Sequence, residues 1–180
     1  DDIGLFVMKQ ACTDCKDWIA QGYDMPVSVN LSAAQLSSGM LPDNVLAILA
    51  ETQLAPRYLE LEITESMLMQ DQNAIDSQIS TLSDQGISFA IDDFGTGYSS
   101  LSRLRELPID CLKIDRAFII SLEHDRSSAE IVRAICALGT ALELTIIAEG
   151  VETPAQYQIL KEIGCDKAQG YLFGRPGPLS

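Results

Sequence analysis

Positive charge is scarce in this sequence, histidine occurs once, and no long apolar run is present; each shortage removes a class of function. Lysine and arginine number 12 against 26 aspartates and glutamates, a formal net charge of −14. Such a field repels phosphate backbones and anionic lipid heads unless bound cations reverse it locally, so neither nucleic acid nor direct membrane contact is expected. No apolar stretch reaches the roughly 18 residues that a membrane helix needs. The best one, Ile131 to Ala148, is broken by Arg133 and Glu143. No basic segment followed by an apolar one opens the chain, so no secretion signal is read. The five cysteines (Cys12, Cys15, Cys111, Cys136, Cys165) are an odd number in apolar surroundings, which favours free thiols in a reducing compartment, the cytoplasm. The lone histidine, His124, sits in a polar Glu-His-Asp-Arg turn, so histidine-based metal hydrolysis and Ser-His-Asp catalysis are unsupported.

What is present reads as a single α/β domain. The chain has 180 residues, 47% of them hydrophobic, enough for one core. It begins Asp1-Asp2, without an initiator methionine, and runs straight into a helical pattern of Leu5, Met8, Ala11, Cys15, Trp18 and Ile19, as a segment excised from a longer protein would. From there β-rich runs alternate with helical patterns. The spacing predicts strands at 26–31, 58–63, 87–91, 110–114, 145–148 and 167–169, and helices near 42–53, 71–85, 99–106, 125–143 and 154–163. Pro42 and Pro154 suit first turns, and Gly86 and Gly164 suit C-terminal stops. Six βα units in a row predict a parallel sheet. Spacing alone fits both a doubly wound sheet and a (β/α) barrel.

The polar residues decide between them. Nearly every predicted strand finishes with an oxygen ligand or a charge: Asn30, Glu62 with Glu65, Asp92-Asp93, Lys113 with Asp115, Glu149, and Gln169. Groups at the C-terminal ends of many parallel strands converge only if the sheet curls round, as on a barrel's catalytic face. An open sheet would typically carry a Gly-rich phosphate turn after its first strand, and none is found. The expected fold is therefore a TIM-type (β/α) barrel, incomplete, with about six of eight strands. Glu62, Asp92, Asp93 and Glu149 in one mouth would repel one another unless cations sit between them. Oxygen-only ligands select Mg²⁺ or Mn²⁺ over zinc, and two such ions suit phosphoester hydrolysis, with Lys113 positioning a water or stabilising charge.

Plainer readings stand beside these. A single carboxylate is ordinarily a solvated surface charge, Lys113 can be a salt-bridge partner of Asp92 or Asp115, and Glu65 and Glu152 can cap helices. Cys12-Thr-Asp-Cys15 has redox or zinc spacing, but it lies in a predicted helix and has no second Cys/His pair. Asp93-Phe94-Gly95 lacks the other kinase segments, and Gly95-Thr-Gly97 alone is a weak phosphate-loop signal. Phe89, Phe118 and Met67 read as core packing.

Six runs together carry a resemblance: Val29-Asn-Leu-Ser32, Leu59-Glu-Leu-Glu-Ile-Thr-Glu65, Asp92-Asp-Phe-Gly-Thr-Gly-Tyr-Ser-Ser100, Leu107-Pro-Ile-Asp-Cys-Leu-Lys-Ile-Asp115, Ala148-Glu-Gly-Val-Glu152 and Gln169-Gly-Tyr-Leu-Phe173. In order and spacing, across the whole chain, they resemble the EAL domain, the bacterial cyclic di-GMP phosphodiesterase module. The resemblance implies a modified TIM barrel that opens cyclic di-GMP to linear pGpG with two Mg²⁺ or Mn²⁺ ions. It implies that Asn30, Glu62 and Asp92 hold the first ion and that Asp92 and Asp93 serve the second. Glu149 matches a glutamate near the second ion and a candidate general base, Lys113 holds the nucleophilic water, and Gln169 and Glu152 lie nearby. Residues 93–100, including Phe94, Gly95, Thr96 and Gly97, match a loop that couples metal binding to dimerisation and is anchored by Glu65. A homodimer and fusion to upstream sensory or GGDEF-type domains are implied as well, and Tyr171 and Phe173 become candidates to border a guanine. The chain departs from the pattern at its start: the Glu-Ala-Leu motif, with one metal ligand and the first two strands, does not occur in it, and its end falls short of the family's last helix. Two other functions fit the residues. One is a receptor that binds cyclic di-GMP without cleaving it; the other is an enolase-type Mg²⁺ enzyme, which exchange of a substrate α-proton would reveal.

Overall fold

The computed structural model describes residues 2–69, 72–95 and 101–177. Helix α1 (Asp2–Ala20) opens the chain, followed by β1 (Val27–Asn30), α2 (Ala33–Ser37), α3 (Leu41–Thr52), β2 (Leu59–Thr64) and α4 (Gln72–Ser83). Then come β3 (Ser88–Phe94), α5 (Leu101–Glu106), β4 (Cys111–Ile114), α6 (Arg116–Ile120), α7 (Arg126–Leu142), β5 (Thr145–Ala148), α8 (Pro154–Ile163) and β6 (Lys167–Ala168). The strands follow one another in a single sheet in sequence order, β1 to β6. The pairs β1/β2, β4/β5 and β5/β6 are parallel. Sequential strands with helices between them form the topology of a TIM-type barrel, here with six strands. A doubly wound sheet would reverse its strand order at a switch point, and this one does not.

The chain divides into two compact units, Asp1–Ala90 with Ser99–Ile109 and Ile91–Tyr98 with Asp110–Ser180. In the first, α1 packs on α3 and β1. Met8, Cys12 and Cys15, at i, i+4 and i+7, form its buried stripe, while Ile3 and Phe6 remain 80% and 68% exposed. The Cys12/Cys15 pair is thus part of the core packing.

In the second unit α7 covers β4 and β5 and touches α6 and α8. Its buried face is Val132, Ile135, Cys136 and Gly139, the i, i+3, i+4, i+7 stripe of an amphipathic helix. A Cβ at Gly139 would stand 2.2 Å from the Ile146 side chain, so helix and strand meet closely there.

Strand limits agree with expectation to within a residue or two, except that β3 continues through Asp92 and Asp93 to Phe94. Two short helices, α2 and α6, follow strands directly where loops were expected. Each begins on a side-chain cap: Ser32 with Gln35 forms a capping box, and Asp115 accepts a hydrogen bond from the Ala117 N–H at 2.7 Å. Phe89 is fully buried as expected, whereas Met67 and Phe118 are only half-buried. Among the described residues no helix is long and apolar enough to cross a membrane.

Candidate active site

In the first unit the polar groups stand at the ends of β1 and β2. The two strands pair so that Asn30 lies opposite Glu62, which puts both at one level about 4.8 Å apart across the ladder. The Leu31 N–H donates to the Glu62 carbonyl at 2.8 Å and fixes that level. Asn30 is exposed, but Glu62 and Glu65 are only 5% and 4% accessible. Glu65 opens the 3₁₀ turn (Glu65–Met69) that ends the strand.

In the second unit the charges gather around Lys113. Its side chain is 8% accessible, with Nζ 2.6 Å from Glu149 Oε1 and 3.9 Å from Asp92 Oδ1. A buried ammonium is tolerated only with anions beside it, and these two supply them. Asp93 has φ 55°, a left-handed backbone that aspartate adopts more readily than most residues. Its own N–H donates to Asp92 Oδ1 at 2.9 Å. Burial, together with the neighbouring Asp92 and Asp115 carboxylates, holds the Asp93 carboxyl above the usual aspartate range.

Beside this cluster lies a cavity of about 200 Å³ lined by Arg116, Glu149, Glu152, Gln169 and Tyr171. Arg116 was not anticipated from the sequence. Its guanidinium donates to Glu152 Oε1 at 2.6 Å. Lys113 and Arg116 are three residues apart at one strand exit, and Glu149 and Glu152 are three apart at the next. Because β4 and β5 run parallel and in register, the two spacings produce two ion pairs; that repeated offset of opposite charges was the available signal. Gly150, at φ 72°, makes room for the arrangement, since a Cβ there would lie 2.3 Å from Arg116 Cγ. At Gly170 a Cβ would lie 2.1 Å from the Val151 carbonyl oxygen. The bare glycine lets the two loops exchange hydrogen bonds, Val151 N–H to Gln169 O and Leu172 N–H to Val151 O, both at 3.0 Å.

The structure thus brings Asp92, Lys113 and Glu149 together, places Glu152 and Gln169 on the adjoining cavity, and pairs Asn30 with Glu62. Lys113 is a salt-bridge partner of Asp92 and Glu149, and Asp115 is taken up in capping α6. Phe94 is buried and Gly95 exposed, while Thr96 and Gly97 lie outside the described residues. Tyr171 and Phe173 are each 54% exposed, Tyr171 lining the cavity and Phe173 standing edge-on to Tyr157. Among the described residues no group of three or more His, Cys, Asp or Glu side chains is gathered closely enough to hold a metal ion. The donor chemistry nonetheless suits a hard divalent cation: the donors are oxygens throughout, and Asp92, Asp93 and Glu149 outnumber the single Lys113 charge.

Comparison with known proteins identifies the family. The EAL domain family matches residues 1–176. The chain is 48% identical over 177 residues to the bifunctional diguanylate cyclase/cyclic di-GMP phosphodiesterase MucR of Pseudomonas aeruginosa, covering 98% of this chain and 26% of that protein. It is 46% identical to the signalling protein YkoW of Bacillus subtilis, covering 98% of this chain and 22% of that one. The chain therefore spans about a quarter of the length of these curated relatives. Among solved structures, the MucR phosphodiesterase in complex with c-di-GMP superposes with a TM-score of 0.95 at 48% identity, covering 98% of this chain and 72% of that one. The EAL domain of Mycobacterium smegmatis DcpA superposes with a TM-score of 0.90 at 40% identity, covering 96% and 78%. With strand-end acids, a buried lysine and a family match over nearly its whole length, the chain belongs to the EAL domain family.

Proposed function

We propose that this chain is a phosphodiesterase domain that cleaves one phosphodiester of cyclic di-GMP to give linear pGpG. The observation that carries the reading is the buried Lys113 ammonium set between Asp92 and Glu149. Relatives named for this activity, MucR and the cyclic di-GMP phosphodiesterase NbdA of Pseudomonas aeruginosa at 42% identity, support it. Asn30 and Glu62 would hold one Mg²⁺ or Mn²⁺ ion and Asp92 and Asp93 the other. The chemistry such ions supply when bound is neutralisation of phosphate charge and acidification of a coordinated water. Lys113 donates to the attacking water and meets negative charge as it develops in the transition state. Glu149, held by Lys113, is placed to take the proton that the water releases. Arg116, Glu152 and Gln169 supply donors and acceptors on the cavity wall for the rest of the dinucleotide.

One observation favours a second reading, a domain that binds cyclic di-GMP without cleaving it: no three acids are gathered for an ion among the described residues. The two separate cleanly. The purified chain is incubated with cyclic di-GMP and Mn²⁺, and the products are resolved by anion-exchange chromatography beside calorimetric binding. Formation of pGpG that chelator abolishes supports the enzyme. Tight metal-independent binding with the dinucleotide returned intact supports the receptor and overturns the first reading.

A further inference from the structure

We propose that Gln156 is a positioning residue for substrate binding: it fixes the main chain at Glu152, and through Glu152 it holds the Arg116 guanidinium on the cavity wall. The inference rests on the reading above that the dinucleotide occupies this cavity. Gln156 is the third residue of α8, and it is 5% accessible. Its side-chain oxygen accepts from the Thr153 N–H at 3.1 Å and from the Glu152 N–H at 2.8 Å. Both neighbours are donors, so the amide must turn its oxygen toward them. The first bond is half of a capping box, whose other half runs from the Gln156 N–H to the Thr153 hydroxyl at 3.1 Å. The second and shorter bond reaches past the cap to Glu152, and a capping box does not require it. At α2 the equivalent Gln35 oxygen accepts from the N–H and the hydroxyl of Ser32, at 3.0 and 2.9 Å. The residue before that cap, Leu31, donates its N–H to the Glu62 carbonyl instead.

The residue that receives the extra bond carries a charge of the cavity. Glu152 Oε1 accepts from Arg116 at 2.6 Å, and both residues line the cavity. Their side chains are 42% and 55% accessible, and so open an ion pair does not by itself keep two long side chains in one place. The main chain beneath Glu152 supplies the missing order. On one side Val151 is tied by its N–H to the Gln169 carbonyl and by its own carbonyl to the Leu172 N–H, both at 3.0 Å. On the other, Gln156 holds the Glu152 N–H. Pinned at two consecutive residues, the loop delivers the carboxylate to a fixed spot. Arg116, with its stem against Gly150, then spends one nitrogen on Glu152 and presents the rest of its fork to an anionic oxygen of the dinucleotide. Because Gln156 is buried, water cannot readily take its place. An apolar residue there would leave the Glu152 N–H unpaired and free the loop to shift.

The full chain with Mn²⁺ is assayed for pGpG formation across a range of cyclic di-GMP concentrations, beside calorimetric binding and thermal unfolding. Gln156→Met, close in shape but without the acceptor, is expected to raise KM about tenfold while kcat changes by less than about threefold. Gln156→Glu keeps an oxygen in the same place and is expected to bring KM back to within about threefold of the unsubstituted chain. In a Glu152→Ala chain, adding Gln156→Met is expected to change KM no further. Thr153→Ala removes the cap hydroxyl but spares the bond from Glu152 to Gln156, so it is expected to lower the unfolding temperature and keep KM. An unchanged KM in Gln156→Met, no recovery in Gln156→Glu, an equal rise in Thr153→Ala, or the full effect persisting on Glu152→Ala would overturn the proposal. Should the unsubstituted chain bind cyclic di-GMP and return it intact, the cleavage reading falls while this one stands or falls on the same comparisons made with the calorimetric Kd.

Discussion

Two strand exits carry the same four-residue pattern, Glu62-Ile-Thr-Glu65 after β2 and Glu149-Gly-Val-Glu152 after β5, and the protein treats them in opposite ways. At the first, the chain stays extended through Thr64 and turns into a 3₁₀ segment, and both glutamates are sealed at 5% and 4% exposure. At the second, Gly150 turns the backbone at once. Glu149 and Glu152 then face a cavity, each on its own cation, with side chains 22% and 42% accessible. Equal spacing therefore does not fix equal environment; the residue after the first glutamate does. A β-branched isoleucine prolongs the strand and hides its acids, while a glycine ends the strand and presents them.

This contrast can be broken at its strongest point first. Lys113→Met leaves Asp92 and Glu149 without their cation, and pGpG formation by the proposed phosphodiesterase is expected to fall by about two to three orders of magnitude. Thermal unfolding should move to lower temperature as well, because Asp92 and Glu149, only 16% and 22% accessible, are left as part-buried charges with no cation between them. Next is Glu65→Ala, which removes a buried acid from among its partners and is expected to lower the unfolding free energy by about 1–3 kcal/mol in urea titrations. Removing Thr153, which caps α8 in a box with Gln156 and also bonds Glu123, is expected to lower stability by about 1 kcal/mol as Thr153→Ala. The smallest change is Glu152→Ala. Its partner Arg116 is 55% exposed, so the stability loss should stay under about 1 kcal/mol in the same titrations. Were Glu152→Ala to cost as much as Glu65→Ala, the distinction between sealed and presented acids would fail.

The fold was largely legible because parallel strands buried on both faces print apolar runs in the sequence, as Cys111-Leu-Lys-Ile114 and Thr145-Ile-Ile-Ala148 do. The long helices announced themselves through periodic stripes and through stops such as Gly164. Helices α2 and α6 were invisible to that method, since five residues are too few to show a period, and they form because Ser32 and Asp115 cap them. At the site, strand-end position pointed to Lys113 and Glu149, which the structure pairs at 2.6 Å. It could not show that Asp92 and Asp93 lie inside β3, because aspartate reads as a strand breaker. Nor could it show that Arg116 belongs with Glu152, because that pairing depends on the register between β4 and β5.

At Gly170 the loops following β5 and β6 lie so close that even a methyl group would overlap the Val151 backbone. A saturation library at this codon should return glycine alone, even though the neighbouring Gln169 and Tyr171 are largely open to solvent. Mutational intolerance here would report a seam between two pieces of main chain, and a survey that equated intolerance with chemistry would misassign it.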